Sequence, residues 1–368
     1  MEYRFQCLNC QNQIDPNPHI ITCKESGCNN GVFKIVYTNK FDIASSMPII
    51  PLSKPSNLIN LGQGNTPIIK LNTLSNELNL NIYAKLEYMN PTGSFKDRGS
   101  AMMISALKEF GINQIVEDSS GNAGASISAY SAYSKMKSHI FVPENAPKNK
   151  VAQIELYGSK VYKISGPRDN ATKAAIKYSN EQSIPYSSHN LSPFFIEGTK
   201  TFGYEVIEFF KKNQPDHILF PVGNGSLIIG SYNAYKENND KIPMPKHHAV
   251  QTENISPIVF ENKNLEWKPE DWIPTIANGI AILDPPRKKQ SSKIIDNTNG
   301  SAVTVTEQEI LNWQIKLAKD EGIFAEITAS ATFASLEKLK QNNIIKNNDK
   351  ILLPITGFGL KDPPPNFS

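Results

Sequence analysis

The chain has 368 residues, 39% of them hydrophobic and 20% charged, and 38 Lys and Arg against 35 Asp and Glu leave a net charge of +3. It is too long for one ordinary domain, and its composition is that of a globular protein. The small net charge gives no ground for nucleic-acid or membrane binding. No uninterrupted apolar run reaches the ~18 residues of a membrane-spanning helix. The start, Met1-Glu2-Tyr3-Arg4-Phe5-Gln6-Cys7, lacks the apolar core of a secretion signal, so a cytoplasmic protein is expected.

All four cysteines fall within the first 28 residues. Cys7-Leu8-Asn9-Cys10 and Cys23-Lys24-Glu25-Ser26-Gly27-Cys28 form two knuckles about a dozen residues apart, a spacing suited to tetrahedral zinc. Tyr3 to Gln6, His19 to Thr22 and Val32 to Tyr37 read as short strands around them. Residues 1–38 therefore read as a zinc-ribbon-like β module, with Cys7, Cys10, Cys23 and Cys28 closing the shell of a structural Zn2+. Two disulfides or four unrelated thiols are the alternatives, and a cytoplasmic address argues against disulfides. With few Lys or Arg residues to meet phosphates, the module gives no reason to expect nucleic acid.

Residues 39–60, with Pro48, Pro51 and Pro55, read as a linker. Gly62-Gln63-Gly64-Asn65-Thr66-Pro67-Ile68 follows, then a strand from Ile82 to Glu87. That strand delivers the chain to Asn90-Pro91-Thr92-Gly93-Ser94-Phe95-Lys96-Asp97-Arg98-Gly99. Asn-Pro and Thr-Gly are turn chemistry, Ser94 is a candidate N-cap, and Ala101, Ile104, Leu107 and Phe110 recur at helical spacing up to a stop at Gly111. Lys96 falls in the first turn, beside unpaired N–H groups and the positive end of the helix dipole. That field disfavours an ammonium ion, and a lysine with a lowered pKa is what Schiff-base chemistry requires.

Beyond this helix strands and helices alternate. Strands are expected at 114–117, 139–142, 161–164 and 184–187, with helices at 123–136, 148–157 and 169–180 between them. A second series has helices at 197–212 and 229–235, strands at 217–222 and 249–252, and an irregular proline-rich excursion over 254–300. A capping box at Thr306-Glu307-Gln308-Glu309 opens a helix to Asp320, another helix covers 330–342, and a last strand covers 350–355. This alternation predicts two open α/β domains with mainly parallel sheets and a cleft between them: a larger one from 39–97 and 197–368, and a smaller one from 98–196.

Two turns between a strand and a helix are built from small residues. Asp118-Ser119-Ser120-Gly121-Asn122-Ala123-Gly124 would let backbone N–H groups approach an anion. Pro221-Val222-Gly223-Asn224-Gly225-Ser226-Leu227 suits a phosphate monoester, and it is neither a Walker A loop nor a dinucleotide fingerprint. The last strand runs into Thr356-Gly357-Phe358-Gly359-Leu360-Lys361-Asp362.

Taken in order, these segments resemble the threonine synthase family of fold-type-II enzymes, which use pyridoxal 5′-phosphate (PLP). The resemblance runs from about residue 60 to 362, and some members of the family also carry an N-terminal ribbon. It implies that Lys96 carries the cofactor as a Schiff base and shuttles the α-proton. It implies that Ser119, Ser120, Gly121, Asn122 and Ala123 bind the substrate, that Asn122 also meets the cofactor's phenolic oxygen, that Gly223, Asn224, Gly225, Ser226 and Leu227 hold its phosphate, and that the Thr356 hydroxyl faces its pyridine nitrogen. Three positions depart from the family pattern: Gln63 replaces a Glu, Ala123 a Thr, and Phe195 the Arg that takes the phosphate of O-phosphohomoserine. The implied activity is PLP-dependent elimination and replacement on a small amino acid, turning O-phosphohomoserine and water into threonine and phosphate. Phe195 keeps open a β-replacement enzyme of the same fold, of cysteate or cysteine synthase type, or an amino-acid ammonia-lyase. A non-catalytic zinc-ribbon binding protein is the remaining alternative. A homodimer is also left open.

Overall fold

The computed structural model describes residues 2–38, 49–146, 148–166, 168–238 and 242–362. Residues 39–48 of the expected linker and 363–368 of the expected larger domain lie outside the described residues. In chain order the elements are β1 (Tyr3–Cys7), β2 (Gln13–Ile14), β3 (Phe33–Tyr37), β4 (Ile68–Lys70), α1 (Asn72–Leu78), β5 (Asn81–Lys85), α2 (Lys96–Glu109), β6 (Gln114–Glu117), α3 (Asn122–Tyr133), β7 (Lys137–Pro143), α4 (Lys148–Leu156) and β8 (Lys160–Ile164). They continue with α5 (Arg168–Gln182), α6 (Pro193–Phe210), β9 (His217–Pro221), α7 (Ser226–Glu237), β10 (Lys246–Thr252), α8 (Pro257–Asn262), α9 (Lys288–Asn297), β11 (Ala302–Val305), α10 (Glu307–Glu321), α11 (Ile327–Gln341) and β12 (Lys350–Pro354). No helix among the described residues is long and apolar enough to cross a membrane. The chain divides into two compact units: Met1–Gln63 with Lys96–Thr199, and Gly64–Phe95 with Lys200–Ser368.

The first unit holds a three-stranded antiparallel sheet, β2-β1-β3, and a three-stranded parallel sheet, β6-β7-β8. In the small sheet Cys7 pairs with Phe33 and Phe5 with Ile35. Phe5, Phe33 and the buried cysteines share one apolar cluster with Met102, Met103 and Ile104 of α2 and with Phe194 and Phe195 of α6. Phe5 and Phe194 meet edge to face at 5.3 Å, and the Tyr37 hydroxyl donates to Glu197 at 2.5 Å. The N-terminal module thus has no closed core of its own. Helix α2 is buried from Asp97 to Leu107 and ends where Gly111 takes a left-handed φ of 75°.

The second unit is one six-stranded sheet in the order β11-β10-β9-β12-β5-β4, parallel except for the edge strand β4. Leu219, Val250, Ile351 and Leu353 of its central strands pack with the almost wholly buried α11. Helix α10 begins with the expected capping box, in which Thr306 accepts from the Glu309 N–H and Glu309 accepts from the Thr306 N–H; Gly322 closes the helix at φ 68°.

Four local expectations are corrected. Ser94 does not cap α2: its backbone forms a β-bridge with Gly357, and its buried hydroxyl has no hydrogen-bond partner among the described residues. His19 to Thr22 is not a strand, because Ile20 N–H turns back onto Asn17; Gln13–Ile14 supplies the third strand instead, and Thr22 makes a single bridge to Val32. The stretch 184–187 makes only the bridge Val116 to Tyr186, since Pro185 has no N–H to extend the pairing. The excursion over 254–300 contains α8 and α9.

Three histidines are buried at the starts of β9 and β10. Ser301 N–H donates to His248 Nδ1 (3.0 Å), His248 Nε2–H to His217 Nδ1 (2.8 Å), and His217 Nε2–H to Asp349 (3.1 Å). His247 donates from Nδ1 to the Pro245 carbonyl at 2.8 Å and accepts at Nε2 from Ser231 at 3.0 Å. All three are held neutral, chiefly by burial, which pushes His247 down to about 4. In the unfolded chain an imidazole protonates near pH 6.5. The stability from neutral His247 is therefore complete above about pH 6.5 and is lost as pH falls towards 4, at a cost of about 3 kcal/mol. Thermal unfolding should show a falling Tm from pH 7 to 5, and His247→Gln should flatten that slope. An unchanged wild-type Tm over this range would contradict the assignment.

Candidate active site and cysteine centre

The lysine turn is built by the second unit. Gly93, at φ 81°, closes a turn by donating to the Asn90 carbonyl at 2.8 Å, and Lys361 Nζ donates to the Thr92 carbonyl at 2.7 Å. Phe95 N–H then donates to the Thr356 carbonyl at 3.0 Å, and Lys96 is the next residue. Lys96 is the first residue of α2, as the sequence predicts.

Within the first unit, the Lys96 ammonium lies 5.9 Å from the centre of the Phe195 ring. Phe195 is fully buried, and a Cβ on Gly99 would come within 2.5 Å of its ring, so glycine is required there for α2 to pass so close. Phe195 is thus a buried aromatic floor under Lys96. The His189 ring meets the same ring edge to face, with centres 5.7 Å apart. His189 in turn is held by Glu117, the last residue of β6: its Nδ1 lies 2.8 Å from one carboxyl oxygen and its backbone N–H donates to the other at 3.0 Å. Both groups are buried. Burial and the neighbouring Asp118 carry the Glu117 carboxyl well above its usual range, while burial and the Lys96 and Arg168 charges carry His189 well below. Sequence reading missed this pair; the available signal was an acidic residue ending a buried apolar strand.

The turn after β6 leads into α3 at Asn122. Ser119 and Ala123 are buried, and Ser120, Gly121 and Asn122 half-buried. A Cβ on Gly124 would collide with the Ser119 carbonyl, which fixes glycine there. The Ser126 hydroxyl donates to the buried Asp97 at 2.5 Å and lies 2.7 Å from the Ser100 hydroxyl. This ties the helix that begins with Lys96 to the helix that follows the Ser119–Ala123 turn.

In the second unit, β9 ends at Pro221 and α7 starts at Ser226, with Gly225 before it at φ 83°. The first N–H groups of α7 carry the positive end of its dipole. A Cβ on Gly223 would come within 3.1 Å of the Gly279 carbonyl and Ile280 Cα, and one on Gly225 would collide with the Ser291 hydroxyl. The buried Asn224 Oδ1 and Ser291 Oγ have no hydrogen-bond partner among the described residues. A small-residue cradle at a helix N-terminus, with unmet polar atoms, fits a phosphate group. The Thr356 hydroxyl donates to the buried Glu326 at 2.7 Å, so what it can present to a ring nitrogen is a lone pair. Glu326 is a third residue whose role was not legible in the sequence.

The four cysteine sulfurs all lie within 4.8 Å of one another, with Cys7 to Cys28 at 3.3 Å and Cys10 to Cys23 at 3.7 Å, and none is in a disulfide. A tetrahedral zinc–thiolate site with bonds of ~2.3 Å needs sulfur separations of ~3.8 Å, which this cluster fits. The wider second knuckle turns back through left-handed residues at Gly27, Asn29 and Asn30. Desolvation pushes Cys7 up, but the Cys10 and Asn9 N–H groups and the Cys28 thiol outweigh it and leave it at about 7; Cys23 is pushed up to about 12, mainly by burial.

A sequence profile described as pyridoxal-phosphate dependent enzyme matches residues 59–357, and the chain belongs to that family. Its curated relatives include threonine synthases. One from Methanocaldococcus jannaschii is 32% identical, covering 97% of this chain and 93% of the relative; one from Halalkalibacterium halodurans is 35% identical, covering 85% and 87%. The structure of O-ureido-L-serine synthase shares the fold, with a TM-score of 0.70 and 21% identity over 81% of this chain and 90% of that one.

Gly225→Ala tests the cradle. A side chain at φ 83° costs about 1–2 kcal/mol in backbone strain, before any clash with Ser291. Denaturant unfolding should show at least that loss, and PLP affinity should fall more than that for pyridoxal, which lacks the phosphate. An equal loss for both ligands would remove the loop from phosphate binding.

Proposed function

We propose that this chain is a PLP-dependent lyase of the threonine synthase type, acting on a small amino acid with a leaving group at Cβ or Cγ. The observation that carries this reading is the placement of Lys96 at the head of α2, over a buried ring, in a chain whose relatives along 97% of its length are threonine synthases. Bound PLP supplies an electron sink for charge developing at the substrate α-carbon. Lys96 takes and returns the α-proton. Ser119, Ser120, Gly121 and Asn122 offer N–H and hydroxyl donors to the substrate carboxylate. The N–H groups of Gly223, Asn224, Gly225, Ser226 and Leu227 hold the phosphate, and Thr356, its proton engaged by Glu326, orients the ring. Nucleic acid has no part in this reading.

Lys96→Ala should abolish the visible band of bound cofactor and reduce turnover by orders of magnitude, and borohydride should fix PLP to Lys96 in the wild type. A reconstituted wild-type protein with no such band would overturn the cofactor assignment.

The substrate's distal group is the open specificity. Phe195 supplies no charged hydrogen bond where the family has Arg, and each such bond is worth about 1.5–3 kcal/mol. O-phosphohomoserine is then either a poor substrate or is held by another Arg or Lys, and β-replacement stays the rival reading. Turnover of O-phosphohomoserine, O-phosphoserine and O-acetylserine discriminates the two, and Phe195→Arg should improve kcat/KM for phosphohomoserine. Efficient turnover of phosphohomoserine restores the plain threonine synthase reading.

The cysteine cluster is assigned to one structural zinc. Metal analysis of protein purified without chelator should give one zinc per chain. Its removal by a mercurial should lower Tm, because metal binding there contributes to folding. Metal-free protein of unchanged stability would refute the assignment.

A further inference from the structure

Glu117 and His189 are a carboxylate and an imidazole buried together in the first unit, and nothing in the packing explains their cost. A buried polar pair of this kind contributes little net stability compared with apolar residues of similar volume. Its geometry is specific: Nδ1 and the backbone N–H of one residue meet the two oxygens of Glu117. With Glu117 ionised, as its acceptance of the His189 backbone N–H favours, this arrangement calls for hydrogen on Nδ1 and a lone pair on Nε2. Nε2 makes no hydrogen bond to any described residue. The imidazole shares the Phe195 ring with Lys96, and the Lys96 charge bears on both members of the pair.

We propose that His189 is a second acid–base group of the reaction, working at Nε2 beside Lys96, with Glu117 as its positioning residue. The proposal rests on the PLP-lyase reading. In the water-addition half, Nε2 takes a proton from water as the oxygen bonds to Cβ of the unsaturated substrate. The pair of the Cα–Cβ double bond moves to Cα, which takes a proton from Lys96. The imidazolium is stabilised by Glu117, and its proton passes to Lys96 or solvent, restoring both groups. A carboxylate that orients and stabilises an imidazole in this way is the logic of hydrolytic triads. Charged and titratable neighbours are Lys96 from α2, Arg168 from α5, Asp118 beside Glu117, and Tyr186. Asp118 is engaged by the Thr172 hydroxyl.

The test is His189→Asn, with His189→Gln as the second variant, in the cofactor-loaded enzyme and with the best substrate of the three above. Product formation should fall about 100-fold or more. Cofactor absorbance and exchange of the substrate α-hydrogen with D2O, which depend on Lys96, should stay within threefold. Added imidazole should restore turnover, and the acid limb of the pH profile, expected below the ordinary imidazole value, should disappear. In the cofactor-free protein, 15N spectra should show His189 as the Nδ1–H tautomer, and Glu117→Gln should change that tautomer or its titration. Product formation within threefold of wild type, or equal loss of exchange and turnover without imidazole rescue, would overturn the proposal. If wild type shows neither cofactor band nor exchange, the lyase reading fails, and the tautomer measurement still decides the pair.

Discussion

The site depends on one short backbone pairing. Ser94 bridges Gly357, and Phe95 N–H donates to the Thr356 carbonyl, so the backbone of the two residues before Lys96 is tied down where α2 begins. Most of the C-terminal motif serves this pairing. A Cβ on Gly357 would strike the Glu326 carboxylate, and Glu326 N–H donates to the Gly357 carbonyl at 2.9 Å. Phe358 stacks on Tyr88 at 5.4 Å, and Lys361 holds the Thr92 carbonyl. A lysine that must meet a bound molecule in one orientation gains from a fixed starting backbone, because positional error is costly to chemistry.

The same economy governs the chain before the lysine turn. Lys85 is buried, donating to Glu205 at 2.7 Å and to the Thr66 carbonyl at 3.0 Å, while Glu87 accepts from Thr66 and Asn90. Gly64 N–H donates to Asn90, and Asn65 N–H to Glu205. The Gly64-Asn65-Thr66-Pro67 segment is therefore fixed by buried charge rather than by regular structure. Such a network gives less net stability than its hydrogen bonds suggest, and it defines one arrangement of the loop.

What the sequence revealed follows the range of the forces involved. Local signals were reliable: the capping box at Thr306, the glycine stop at Gly111, and the alternation of apolar strands and helices all appear in the structure. Strand 184–187 failed because Pro185 lacks a donor and its partner strand is distant in sequence. Ser94 failed as a cap because a residue more than 260 positions away claims its backbone. Glu117, His189 and Glu326 became candidates only through tertiary partners. Phe195 was legible as a departure from the family pattern, but its burial under Lys96 was not.

The packing of the N-terminal sheet carries a consequence for how the chain tolerates change. Phe5 and Tyr3 lie against Phe194, which is adjacent in sequence to the ring beneath Lys96. Phe5 also lines one small recess with Met103, Leu107 and Phe194. Cutting away the module, as one would trim an accessory domain, would uncover a contiguous apolar face on α2 and α6. Large exposed apolar surfaces of that kind invite self-association. The N-terminal module therefore shields that face, and a truncated chain would need replacements for the aromatic side chains of α6.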